Sequence, residues 1–152
     1  MQGNLSNAYT TLGRFEQALQ MDRDIYCGYV KLNGEGHGDT LIAAYNYAAS
    51  LMDLEQYAEA KTQLLKHIPL SRRILGEDSD LTLRMRKGFA RALYMDADAT
   101  LDDLREAATT LEDAGRTARR VLGCAHPTTA GIEHYWRETQ ATLRARETPS
   151  GK

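Results

Sequence analysis

Gly34-Glu35-Gly36-His37-Gly38-Asp39-Thr40-Leu41 returns 42 residues further along as Gly76-Glu77-Asp78-Ser79-Asp80-Leu81-Thr82-Leu83. A third version, Gly123-Cys124-Ala125-His126-Pro127-Thr128-Thr129-Ala130, keeps the opening glycine and the threonine after a gap of 47, which places about five extra residues inside the preceding unit. A fixed period near 40 residues marks an array of similar units, each burying its apolar side against its neighbours. The expected fold is therefore an all-α superhelix, with function carried by a surface that several units share.

Between the copies, apolar residues recur at helical spacing. Leu41, Ala44, Ala48, Leu51 and Met52 predict an amphipathic helix from about Gly38 to Asp53. After the break at Leu54-Glu55-Gln56, a second stripe of Tyr57, Ala60, Leu64, Ile68 and Leu75 runs to Gly76, a residue suited to the left-handed position that ends a helix. The first unit shows the same pair in Tyr9 and Leu12, then Phe15, Ala18, Leu19, Ile25, Tyr29 and Leu32. The third shows it in Leu83, Ala90 and Leu93, then Leu104, Ala107, Ala108, Leu111, Val121 and Leu122. Each unit is thus a helix A, a helix B and a turn. The units span about 1–36, 37–78 and 79–125, a last helix takes 126–146 as a cap, and 147–152 form a disordered tail.

Local chemistry explains the turns. Lys31, Arg72-Arg73 and Arg119-Arg120 stand just before the glycines, where cations favour the negative end of the helix dipole. His37, Ser79 and His126 occupy the N-cap positions, with Gly38, Asp80 and Pro127 opening the helices. Pro69 breaks the pattern inside helix B of the second unit and predicts a kink near Lys66, read as a bend that helps the superhelix pack.

Composition removes other classes. The chain has 152 residues, 42% of them hydrophobic and 26% charged, with a net charge of −2, so bulk charge gives no sign of a nucleic-acid or membrane-surface protein. No apolar run approaches the ~18 residues of a membrane span, and residues 1–20 lack a secretory pattern. Cys27 and Cys124 are far apart, against a disulfide scaffold and in favour of a reducing, cytoplasmic setting.

These pieces resemble the tetratricopeptide repeat in its 42-residue, kinesin-light-chain-like form, in which Leu-Gly-x-x-His-Pro-x-Thr-Leu precedes an Asn-Leu-Ala helix and then Gly-x-Tyr-x-Glu-Ala. The chain supplies Asn4-Leu5, Gly13-Arg14-Phe15-Glu16-Gln17-Ala18 and His37-Gly38-Asp39-Thr40-Leu41. It continues with Asn46-Tyr47-Ala48, Tyr57-Ala58-Glu59-Ala60, Leu75-Gly76, Leu104-Arg105-Glu106-Ala107, Leu122-Gly123 and His126-Pro127. Three departures stand out: Glu55 in place of the turn glycine, Gly88 in place of the helix-A asparagine, and the insert Asp96-Ala97-Asp98-Ala99-Thr100. Because Met1-Gln2-Gly3 falls within the first helix A, the chain is expected to be a fragment of a longer array or to take the missing turn from another molecule.

The resemblance implies a non-enzymatic scaffold whose helix-A faces line a concave groove for a peptide or protein partner. On this chain the groove takes Asn4, Asn7 and Thr11, then Ile42, Tyr45, Asn46, Ala49 and Asp53, then Arg84, Lys87, Arg91 and Tyr94, and finally His134 and Glu138. Arg84, Lys87 and Arg91 stand at i, i+3 and i+7, on one helix face. The asparagines offer paired donors and acceptors to an extended backbone, and the cations suit carboxylates, so an acidic extended peptide is the expected ligand. The alternative, that these cations are simply solvated or pair with Asp80, stays open at this level.

No cofactor or metal is expected. Cys124 and His126 fall in a turn the repeat already explains, and His37, His67 and His134 are scattered over different units. Asp96, Asp98, Asp102 and Asp103 lack the glycine and glutamate of a calcium loop. The sole tryptophan, Trp136, joins Ile132, Tyr135 and Leu143 on the apolar face of the last helix. If this cap is incomplete, exposed end units make the chain a structural module that forms a homo-oligomer.

Overall fold

The structure, a computed structural model, describes residues 13–148. Six α-helices run through them: α1 Phe15–Asn33, α2 Gly38–Asp53, α3 Tyr57–Leu75, α4 Asp80–Met95, α5 Leu101–Val121 and α6 Pro127–Glu147. No strand occurs among the described residues. Each helix packs on the next, and α2 also lies beside α4, and α4 beside α6. The helix-A elements α2, α4 and α6 therefore form one layer, with α1, α3 and α5 behind it. The last helix closes at Glu147, one residue beyond its expected end.

The turn residues account for this path. Gly76 holds φ +98°, and its N–H reaches the carbonyls of Arg72 and Ser71. His37 Nδ1 accepts from the Asp39 N–H and His126 Nδ1 from the Thr128 N–H, each at 3.1 Å, so both imidazoles cap helices. Ser79 holds the same position without a side-chain cap bond. The turn glycine missing from the second unit leaves Glu55 in the left-handed region at φ +58°, where Gly13 has +78°. An L-residue is strained there. The helix α3 runs on through Pro69; both Pro69 and Leu65 are exposed, so water can take the hydrogen bond that the proline cannot donate.

Helix A and helix B approach closely because small residues stand between them: Ala18, Ala60 and Ala107 are buried. One cluster joins Leu41, Leu64, Leu83, Met85, Phe89, Leu111 and Ile132 across five helices, and a second joins Leu19, Tyr26, Tyr47, Leu51 and Ala60 across α1 to α3. Leu104 packs with Leu143 of α6, tying the third unit to the last helix. Gly88 replaces the helix-A asparagine for want of space, since a β-carbon there would lie 3.3 Å from Leu64 Cδ1 and 3.4 Å from Met52 Cε. The insert in the third unit buries Ala99, whose carbonyl accepts from Arg146 at 2.7 Å, and Thr100 with Asp103 forms a capping box at the start of α5. The acids grouped there thus serve a loop and a helix start.

A polar cluster sits where α1, α3 and the first turn meet. The ring of His67 is almost wholly buried; its Nδ1–H donates to the Gln63 carbonyl at 2.7 Å, and its Nε2 lies 3.0 Å from Glu35 and 3.1 Å from the Tyr26 hydroxyl. Lys66 closes on the same carboxylate at 3.0 Å. Burial pushes the Glu35 carboxyl up, but hydrogen bonds from Lys66, His67 and Tyr26 outweigh it and hold the group below its ordinary value. This network answers the burial of a histidine with partners for both ring nitrogens.

Candidate peptide-binding face

The layer formed by α2, α4 and α6 brings together most of the residues expected to bind. Arg84 lies over the Tyr45 ring of α2 at 5.2 Å, and Arg91 over the Tyr135 ring of α6 at 5.7 Å. Each guanidinium thus lies against an aromatic ring of a neighbouring unit, a favourable cation–π contact. Arg84 also meets Asp80 at 3.4 Å, so one of the three cations does pair with that acid. The other Asp80 oxygen accepts from the Thr128 hydroxyl at 2.6 Å, fixing α4 to α6.

Lys87 stands between these arginines and differs from both. Its Nζ lies 3.1 Å from where a β-carbon on Gly131 would be, so the absence of a side chain at 131 makes room for the ammonium. No carboxylate lies within ion-pair distance of it among the described residues. Burial, with Arg84 and Arg91 adding to it, pushes its pKa below the ordinary lysine value. Arg91 likewise has no carboxylate partner at that distance; its Nε–H points to Met95 Sδ at 3.4 Å. Two cations of the face thus have no carboxylate within ion-pair distance among the described residues.

Aromatic rings flank them. Tyr94 and Tyr135 lie 6.0 Å apart by ring centroid, and the His134 ring lies 5.3 Å from Tyr135. Burial raises the pKa of Tyr94, with Tyr135 and Glu138 adding to it, and burial raises that of Tyr45 against the pull of Arg84 and Arg91. Asp53 is also raised by burial, although Arg91 opposes the change. Asn46 and Ala49 are half-buried on α2, and the Asn46 amide makes no side-chain hydrogen bond among the described residues. Glu138 is exposed on α6. Asn4, Asn7 and Thr11 lie outside the described residues.

Two residues of this face escape a reading of the sequence. Tyr135 packs with Trp136 against the core of the third unit, as the capping stripe predicts, and it also enters this face, where it lies under Arg91 with its ring 6.0 Å from that of Tyr94. Gly131 has no side chain to notice. The available signal is spacing, because Gly131 and Tyr135 stand four residues apart and flank His134 on the helix face that meets α4.

Cys27 and Cys124 are free and exposed, His126 is engaged as a cap, and among the described residues no group of three or more histidines, cysteines or acids is placed to hold a metal. No helix among them is long and apolar enough to cross a membrane.

Sequence comparison agrees with the architecture. Two family models, both described as tetratricopeptide repeat, match residues 39–100 and 1–39, and together take in residues 1–100. The chain belongs to the tetratricopeptide repeat family. Among solved structures, this tetratricopeptide array superposes on the nearly identical TPR-like repeats assigned to kinesin light chain in Podosopora anserina with a TM-score of 0.82. That match has 20% sequence identity and covers 96% of this chain and 67% of the other. A Q17M form of the same protein matches equally well. At that identity the likeness speaks for the fold. No curated protein matches the sequence significantly.

Proposed function

We propose that this tetratricopeptide array is a protein-binding scaffold that takes an extended, acidic peptide across the concave face lined by α2, α4 and α6. One observation carries the reading: Lys87, half-buried between Arg84 and Arg91, has no carboxylate of its own. A like-charged triad at i, i+3 and i+7 costs folding stability. An anionic ligand offsets that cost, and the flanking tyrosines supply flat apolar surface for its side chains. The free, exposed cysteines support a reducing, cytoplasmic setting.

The test is binding of fluorescein-labelled decaglutamate to the intact chain by fluorescence anisotropy, against a decaglutamine control. Binding of the acidic peptide that weakens with salt, and weakens further in an Arg91→Glu chain, supports the proposal. Equal affinity for both peptides, or no effect of the charge reversal, removes it.

A further inference from the structure

Two of the three cations on the peptide-binding face lean onto α6 in register with each other. Lys87 rests on Gly131, its Nζ 3.1 Å from the position a β-carbon would take there, and Arg91 lies over the Tyr135 ring at 5.7 Å. Residues 87 and 91 are one helical turn apart, as are 131 and 135, so the two side chains meet successive turns of the same neighbouring helix. At this spacing β-carbons lie about 5–6 Å apart, within reach of a single bridging anion.

Their charges are not answered from within the described array. Asp80 opens the same helix, and both its oxygens are engaged, one by Arg84 at 3.4 Å and the other by the Thr128 hydroxyl at 2.6 Å. Asp53 on α2 feels Arg91, and Glu138 on α6 acts on Tyr94, but neither acid forms an ion pair with Lys87 or Arg91. With Arg84 answered by Asp80, two positive charges remain, one of them on a half-buried ammonium. A carboxylate brings a single negative charge. A phosphomonoester carries about −1.5 to −2 at neutral pH, on three strong acceptor oxygens.

We propose that the preferred ligand of this face is a phosphorylated acidic peptide, whose phosphoserine or phosphothreonine side chain bridges Lys87 and Arg91. Resting on the reading of the face as a peptide groove, this assignment adds the chemistry of the residue at its centre. Lysine meets phosphate oxygens as a compact point charge, and the arginine guanidinium offers paired N–H donors in a plane. One dianion then answers both charges, and no second acidic side chain has to be brought up to the half-buried ammonium. Clusters of cations that read phosphorylated segments are a recurring mode of peptide recognition.

Two fluorescein-labelled peptides test this by anisotropy on the intact chain: decaglutamate, and the same peptide with phosphoserine in place of its fifth residue. The host already offers adjacent carboxylates, so a bridge made by two glutamates is open to both. The phosphoserine peptide should bind about ten- to a hundredfold more tightly at neutral pH, the gain from one added charge-assisted hydrogen bond. Lys87→Met and Arg91→Met each leave one unanswered cation, and each should bring the ratio of the two affinities close to one. Arg73→Met, which removes an exposed charge from α3 in the other layer, should leave the ratio unchanged, with circular dichroism as the folding control for all three. Equal affinity of the two peptides for the wild-type chain overturns the phosphate assignment and leaves the acidic-peptide reading standing, whereas no binding of either overturns both. A ratio that survives Lys87→Met and Arg91→Met alike overturns the placement. Displacement of the phosphopeptide by free phosphoserine as effectively as by unlabelled phosphopeptide overturns the choice of a peptide over a small phosphomonoester.

Discussion

Replacing Lys87 with methionine should move stability and binding in opposite directions. The ammonium stands three residues after Arg84 and four before Arg91 on α4, and burial together with these arginines disfavours its charged form. Like charges at such spacings cost about 0.2–0.5 kcal/mol each, so removing this cation relieves roughly 0.5–1 kcal/mol before desolvation is counted. Methionine keeps an unbranched stem, and Lys87 already rests its Cδ 3.4 Å from the β-carbon position of Gly131, so packing there survives. For a chain of 152 residues the melting temperature should rise by roughly 1–4 °C. Binding should fall, because a charge-assisted hydrogen bond to a ligand carboxylate contributes about 1.5–3 kcal/mol. The Kd for decaglutamate should therefore rise roughly ten- to a hundredfold. Thermal unfolding by circular dichroism and peptide anisotropy at neutral pH read the two effects on the same sample. A lower melting temperature in the variant refutes the claim that the cation is strained, and an unchanged Kd refutes its role in recognition.

Three further outcomes follow from the same structure. Because the Lys87 pKa is lower in the folded chain than its ordinary 10.5, the unfolded state holds more protons between the two values, so stability contributed by this residue rises with pH across that window. Peptide affinity should fall over the same range, and Lys87→Met should abolish both slopes in a pH series of melts and titrations. Glu35→Ala should cost about 1–2 kcal/mol at neutral pH by removing the acceptor shared by Tyr26, His67 and Lys66. Since the folded pKa of Glu35 lies below 4.5, its contribution is present above that pH and is lost as pH falls through the depressed value. Chemical denaturation should find variant and wild type converging in acid; a constant gap at all pH values contradicts the assignment. Glu55→Gly should raise stability by about 0.5–1 kcal/mol, since it relieves a left-handed φ at some cost in unfolded-chain entropy. A lower denaturation midpoint would show that Glu55 makes a compensating contact.

Much of the array is legible along the chain. Helix A of the second unit begins at Gly38 and ends at Asp53, the bounds its apolar spacing predicts, because one face of that helix must be buried and the apolar period breaks at Leu54-Glu55-Gln56. The caps at His37 and His126 are equally local, each bond closing over two residues. The α4 cations could be placed on one face for the same reason. Less could be read of the site's other walls. Whether Tyr135 also reaches the cations of α4 depends on how α6 is rotated against its neighbour, and a period of 3.6 residues does not fix that rotation when apolar residues stand on both sides of the helix.

The sequence by itself determined the repeat, its register, the helix boundaries and the membership of the basic stripe, since these follow from short-range geometry and from burial of one face per helix. Tertiary structure decided which cations find a partner. Arg84 is neutralised by Asp80 within its own helix, a pairing already visible at i, i+4, but the rings over Arg84 and Arg91, the space beside Gly131 and the missing counter-ion of Lys87 arise between units. So does the burial of the Trp136 indole N–H without an acceptor. Contacts between units depend on how far each helix pair rotates against the next, and that angle is a sum over packed surfaces that no single stretch of sequence contains.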